Sequence, residues 1–546
     1  MPRSQFYNPL ATRGMITTPH YLASQAGLHI LRSGGCAIEA AIAAAAVLTV
    51  VYPQMCTLGG DNFWLIYNAA DKELKGLNAS GRSGSKVTRT VYENLGLAQI
   101  PSRGPLAAIT VPGVVSGWDK ALGYAKEHRQ ARFSLDELLS DALVYAEEGF
   151  PVSKSLADWI VVDTDTQDTE QRCLQRFPGF ARIFLPDGHP LQACTRLRQP
   201  DLARSLRLLA DQGAAAFYEG ELAHALVRGL RDAGGLLTEE DFARHTADWV
   251  EPLTTSYRQY TACNLPPNTQ GLSSLQILAL ANTLDLQALG EGSADYYHSL
   301  IEATKLAFAD RERFVTDPAF MQAPLEHLLS QEYITRQAAR MDRNRAQDFA
   351  SLLDPQGDTI WLGVVDGAGN AVSLIQSIYN DFGSGIVPQG TGILLQNRGS
   401  FFSLNPKHPN TLEPGKRTMH TLNPPMILEN GRPRLVYGTM GGEGQPQTQA
   451  ALVTRILDFG MTPQEAIDAP RWLYGRTWGA SSNTVKLEAR IDKAVARELE
   501  ARGHVVEYVA DYSDTMGHAG AILIDQENGI LQGGTDPRSD GQALGY

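Results

Sequence analysis

The chain's hydrophobic positions change rhythm near its middle. Between Ile360 and Tyr379 they fall in short runs of the length of strands. Ile360, Leu362 and Val364 would share one face, with Trp361 and Val365 on the other. A short apolar run bounded by turn-formers suits a strand buried on both faces. Asp354-Pro355-Gln356-Gly357-Asp358 precedes it as a polar turn, and Asp366-Gly367-Ala368-Gly369-Asn370 turns the chain into a returning strand over 371–379. Upstream, the spacing predicts helices over 18–31, opened by Thr18-Pro19 and stopped by Ser33-Gly34-Gly35, and over 36–51. A strand is expected at 63–67, then helices at 202–212, 221–233, 272–286 and 294–308, with a strand at 260–265. Downstream, 425–428 and 434–438 flank Glu429-Asn430-Gly431 as a hairpin. Helices at 447–459, 463–468 and 491–502 follow, and a strand at 519–524. These patterns alone give a mixed α/β protein with much antiparallel sheet.

Composition narrows the classes. The chain has 546 residues, enough to bury a large core, with 43% hydrophobic and 20% charged residues. A net charge of −13 speaks against a nucleic-acid or anionic-membrane partner. The apolar run 36–51 contains Glu39 and is short for a membrane span, so a buried alanine-rich helix is expected. Five cysteines, with no CxxC spacing, suggest free thiols in a reducing, cytoplasmic setting; the N-terminus carries no apolar signal segment. No metal is expected from twelve scattered histidines, and no cofactor is called for. The GxSxG, HExxH and GxxxxGK[ST] patterns are absent from the sequence.

Thr359 stands where a loop enters the central hairpin. Its plainer reading is a β-branched residue opening a strand. Its sharper reading is a latent nucleophile. The hydroxyl would attack the Asp358 carbonyl, the acyl group would pass from N to O, and water would release the ester. Thr359 would then own an α-amine with an ordinary pKa of about 7.7–8.0, fit to take the proton from its own hydroxyl.

Several blocks carry a resemblance: Leu58-Gly59-Gly60-Asp61-Asn62-Phe63, Val111 to Trp118, Ala309-Asp310-Arg311, the segment from Thr359 to Gly383-Ser384-Gly385-Ile386-Val387, and Thr535-Asp536-Pro537-Arg538-Ser539-Asp540-Gly541. Together they resemble the γ-glutamyltransferase family of N-terminal-nucleophile hydrolases over nearly the whole chain. The resemblance implies an α+β, four-layer αββα sandwich. It implies a large subunit, 1–358, and a small subunit, 359–546, cut from one precursor between Asp358 and Thr359 and kept as a heterodimer, with a dimer of heterodimers left open. It further implies Thr359 as nucleophile, Ser377 at a hydroxyl position that contacts it, and Gly441-Gly442 at the oxyanion hole. Without the family, Ser377 is a polar strand residue and the glycine pair a plain turn.

The departures concern substrate. Where the family grips a γ-glutamyl α-amine with an acidic residue, this chain has Phe401. The family's carboxylate-binding Arg matches only a displaced Arg82. Paired serines are replaced by His420-Thr421, and an Asn by Tyr379, with Asn380 next to it. Residues 402–416 are short where transferases carry a lid. An ammonium unpaired beside Phe401 would cost several kcal/mol, whereas Arg398 offers a fork for a carboxylate. Alone, Arg398 also reads as a surface ion pair and His420 as a satisfied core histidine. The expectation is an amidohydrolase whose acyl group bears a carboxylate and no α-amine, held by Arg398, His420, Thr421, Tyr379, Asn380 and Arg82, with oxamate as the preferred example. A glutathione hydrolase, γ-glutamyltransferase or glutaryl-type acylase, and an unprocessed binding protein, are the alternatives.

Overall fold

The computed structural model describes residues 7–164, 172–321, 324–347, 358–475 and 483–546. Two seven-stranded antiparallel sheets stack face to face. The first runs in the order Gln542–Gly545, Met15–Thr18, Asp358–Val365, Ala371–Tyr379, Asp61–Asn68, Glu73–Asn78 and Asp248–Val250. The second runs Leu10–Ala11, Ile530–Thr535, Ala519–Asp525, Arg432–Thr439, Met426–Glu429, Tyr260–Asn264 and Leu253–Tyr257. Helices including Tyr21–Arg32, Ala37–Val51 and Val114–Glu127 cover the first sheet; Gly271–Ala281, Ala294–Phe314 and Gly444–Val453 cover the second. This is the four-layer αββα sandwich.

The two-residue period of the Thr359 strand explains its place. Ile360, Leu362 and Val364 pack among the helices, while Trp361 and Val365 join Met426, Val436 and Ile522 between the sheets. Trp361 lies in a slot that three glycines make. A Cβ at Gly438, Gly363 or Gly520 would meet its ring at 2.3, 2.6 and 2.6 Å. Its indole N–H donates to Ser373 Oγ at 2.9 Å. The strand after Thr359 is therefore pinned two residues on.

The Ala37–Val51 helix is buried along its whole length. Its Glu39 is satisfied inside the core, accepting the backbone N–H groups of Cys36, Arg132 and Phe133 at 2.9, 2.6 and 2.7 Å. The preceding helix starts later than its sequence suggests. It begins at Tyr21 with His20 as N-cap, and Met15–Thr18 is a strand. Thr18 precedes a proline, which disfavours the helical backbone at that residue, and Met15–Thr18 fills the place between two strands of the first sheet. The helix expected over 272–286 stops at Ala281, that over 447–459 passes into a π turn at Thr454–Asp458, and that over 294–308 continues to Phe314. The turn expected at 354–357 lies outside the described residues.

All five cysteines are free thiols, four of them buried. Among the described residues no helix is long and apolar enough to cross a membrane.

Candidate active site

Thr359 opens the hairpin at an irregularity. Asp358 faces Tyr379 and Ile360 faces Gln376, so Thr359 is opposed by both Ser377 and Ile378. Such a bulge re-aims a side chain and is favoured next to functional sites. Thr359 is fully buried, and its hydroxyl has no hydrogen-bond partner among the described residues. Ser377 Oγ accepts the Tyr379 N–H at 2.8 Å. Tyr379 itself has φ of 82°, a left-handed backbone that a tyrosine adopts only where the surroundings enforce it.

That backbone turns the Tyr379 ring onto Arg398. The guanidinium carbon lies 3.9 Å from the ring centroid, and Phe401 closes edge-on against Tyr379 at 5.6 Å. Arg398 is 1% exposed, and its Nε, Nη1 and Nη2 all have no hydrogen-bond partner among the described residues. It is not a surface ion pair. Buried polar groups are ordinarily hydrogen-bonded, so a buried guanidinium with its fork open in this way can receive an anion. Burial pushes its pKa down to about 10, leaving it charged at neutral pH.

Three more atoms in the same condition belong to neighbouring segments: His420 Nδ1, Thr421 Oγ1 and Asn380 Oδ1. Asn380 is positioned by its own N–H on Asn397 Oδ1 at 3.0 Å. His420 Nε2 lies 3.3 Å from Asp61 Oδ2, and its ring meets Phe63 edge-on at 4.8 Å. Burial, and then the Arg398 charge, hold His420 well below its ordinary pKa. It is a core histidine satisfied on one side only. Thus Thr359, Ser377, Tyr379, Asn380, Arg398, His420 and Thr421 gather at one end of the first sheet. Arg82 does not join them. It is half-exposed and bonded to Asp317 at 3.1 Å, with Asp248 at 3.7 Å. Those two carboxylates take the fork that a substrate would need.

Gly441 and Gly442 form the turn between the strand Arg432–Thr439 and the helix Gly444–Val453, with φ of 128° and 49°. The first value is open to glycine alone. Residues without an assigned role in the sequence hold this turn. Arg311, fully buried, donates to Gln270 Oε1 at 2.9 Å and to Glu443 Oε1 at 2.6 Å. Gln270 Nε2 in turn donates to the carbonyls of Gly442 and Thr421 at 2.8 and 2.7 Å. One arginine therefore ties the glycine turn to the segment carrying His420 and Thr421. Asp61 was also unassigned. It accepts the N–H groups of Gly81 and Gly113, which belong to separate glycine-bearing blocks. In the sequence, Arg311 and Asp61 fall inside the recognisable blocks, while Gln270 and Glu443 do not.

One buried trio has the makings of a metal centre: His298, Glu302 and His504. Its ligand atoms are already used. The Lys305 ammonium is 2.8 Å from Glu302 Oε1, the Gln347 N–H donates to Oε2 at 3.0 Å, and the two histidines bond each other at 2.8 Å. A dication there would have to displace an ammonium. The cluster instead ties down the stretch ending at Gln347, with His298 also reaching the Asp342 carbonyl at 2.7 Å.

With this geometry in view, the model of the family described as Gamma-glutamyltranspeptidase matches residues 23–546. The chain belongs to the gamma-glutamyltranspeptidase family. Among its relatives is a "Glutathione hydrolase-like YwrD proenzyme" of Bacillus subtilis (strain 168), 46% identical over 98% of this chain and 99% of that one. An "Oxamate amidohydrolase proenzyme" of Klebsiella pneumoniae is likewise 46% identical, over 98% of this chain and 99% of its own. Among solved structures, a cephalosporin acylase from Bacillus halodurans superposes with a TM-score of 0.91 at 38% identity, covering 100% of this chain and 98% of that chain. Family membership agrees with the N-terminal-nucleophile sandwich, and members of the family with different acyl specificities lie close to this chain.

Proposed function

We propose that the chain is a self-processing amidohydrolase that cleaves the amide of a small substrate whose acyl group carries a carboxylate and no α-amine. The precursor is cut between Asp358 and Thr359, giving fragments 1–358 and 359–546 that remain one sandwich. The two relatives named as proenzymes support this step. Thr359 Oγ then attacks the substrate carbonyl while its own α-amine takes the hydroxyl proton. The Gly441 and Gly442 N–H groups face the oxyanion, and Ser377, across the hairpin from Thr359, holds the hydroxyl once the peptide bond before it is cut. The same amine returns the proton to the leaving nitrogen, and water clears the acyl group from Thr359. No cofactor enters these steps.

The single observation that carries the acyl specificity is the buried guanidinium of Arg398, stacked on Tyr379 with every N–H unanswered among the described residues. A carboxylate would satisfy it with two parallel charge-assisted bonds. An α-ammonium finds no free carboxylate in this cluster among the described residues. Phe401 is apolar, and Asp61 spends Oδ1 on Gly81, Gly113 and Gln396 and turns Oδ2 to His420. Oxamate is the preferred example of such a substrate, and one relative is an oxamate amidohydrolase by name. The test is ammonia release from oxamate, beside hydrolysis of a glutaryl amide and of glutathione by the mature enzyme. Preference for oxamate or the glutaryl amide is expected. Preference for the γ-glutamyl compound would refute the reading of Phe401 and Arg398.

A further inference from the structure

Asp61 and His420 form a buried pair next to Arg398, 0% and 1% exposed. The two oxygens of Asp61 have different surroundings. Oδ1 accepts three N–H groups, from Gly81 at 3.0 Å, Gly113 at 3.2 Å and Gln396 Nε2 at 3.1 Å. Oδ2 faces, among the described residues, only His420 Nε2. An ionised Asp61 therefore takes the imidazole proton on Nε2, which leaves His420 Nδ1 as a bare lone pair. That atom is buried and has no partner. A lone pair would repel a carboxylate arriving at Arg398.

We propose that the Asp61–His420 pair takes up one proton from solvent as the substrate's carboxylate binds, turning His420 Nδ1 into a hydrogen-bond donor to that carboxylate. The proposal rests on the reading of Arg398 as the carboxylate receptor. The balance is simple. One proton enters from water, Nδ1 becomes N–H, and the proton on Nε2 is shared with Asp61 Oδ2. If it passes to Oδ2, both members of the pair are neutral, which suits their burial.

The charges around the pair support the coupling. Arg398 faces both members, Arg417 faces Asp61, and the Tyr218 hydroxyl senses Asp61. Phe63 covers the imidazole and brings no charge. Burial lifts Asp61 to about 6, against the bonds to its Oδ1 and the two arginines. The Arg398 charge opposes a proton on His420. A substrate carboxylate neutralises that charge and offers an acceptor, so it removes the obstacle and supplies the reward together. The pair would thereby select for anionic acyl groups beyond what Arg398 does alone.

The test is calorimetric titration of the mature enzyme with oxalate in two buffers of different ionisation enthalpy. At about pH 7.5, above the pair's own range, uptake near one proton per oxalate is expected, with affinity falling close to tenfold per pH unit. Asp61→Asn makes the diagnostic variant. Its amide oxygen can still accept from Gly81 and Gly113, while its N–H₂ donates to His420 Nε2 and fixes the proton on Nδ1 beforehand. Oxalate should then bind without the pair's proton uptake and with a flattened pH dependence. The Thr359 amine is present in both proteins, so it cancels in the difference. Should Asp61→Asn fail to fold, His420→Gln provides the same comparison, with uptake lost and binding by Arg398 retained. Binding without uptake in the wild type, or undiminished uptake in the variants, would overturn the proposal alone. Absence of any oxalate binding would overturn the carboxylate reading and the proposal with it.

Discussion

Arg398→Met separates a receptor from a structural residue, because the two roles predict opposite signs. Methionine keeps length and apolar contact with Tyr379 and removes the charge. In the folded protein the guanidinium is held without hydrogen bonds, and its pKa is pushed down to about 10 by burial. Relative to the ordinary value of 12.5, that corresponds to about 3 kcal/mol of unfavourable free energy. The stack on Tyr379 returns about 1–2 kcal/mol. Arg398→Met should therefore leave Tm unchanged or raise it by a few degrees. Activity should move the other way. Removing one partner of a buried charge pair costs about 2–5 kcal/mol, which converts at about 1.4 kcal/mol per tenfold to a loss in kcat/KM from about 30-fold to several thousand-fold. The assay is ammonia release from oxamate, beside an uncharged primary amide of similar size. The loss should be confined to oxamate. Equal losses on both amides, or a clear fall in Tm, would refute the assignment and return Arg398 to the core.

Gly441→Ala asks a side chain to adopt φ near 128° and so shifts the turn; kcat should fall by about 10²–10³-fold with KM little changed, as steady-state kinetics would report. Glu443 is raised to about 7 by burial, partly offset by Arg311. A folded-state value above the unfolded one favours folding at low pH, so the wild type should lose on the order of 3 kcal/mol as pH rises from about 4.5 to about 7. Glu443→Gln should not show that component, which urea midpoints across this range would reveal. Gly438→Ala drives a Cβ into the Trp361 ring and should destabilise by about 1–3 kcal/mol, read as a lowered urea midpoint with m unchanged.

What the chain disclosed about itself depended on range. The strand at Ile360–Val365 was legible because a strand buried on both faces is a short apolar run closed off by turn-formers. The alanine helix was legible from the length of its apolar run, too long for a strand and too short for a membrane span. Met15–Thr18 was missed: four residues are too few to show a period, and its place in the sheet is set by partners near 364 and 544. Thr359 and the glycine turn were singled out through blocks of local sequence. Their supports were not, since Asp61 meets His420 across 359 positions and Arg311 meets Glu443 across 132. Arg398 and Arg82 show the limit most clearly. Both are arginines in polar surroundings on paper. Only the fold reveals that Asp317 and Asp248 take one, while a tyrosine with positive φ shields the other from every acceptor.

Everything proposed for catalysis requires Thr359 to begin a chain. Intact mass of the purified protein, beside Thr359→Ala, measures that directly. Two fragments whose masses sum to the precursor plus one water, parted before Thr359, are the predicted result, with the variant left whole. An active wild-type preparation in which residues 358 and 359 are still joined would contradict the account.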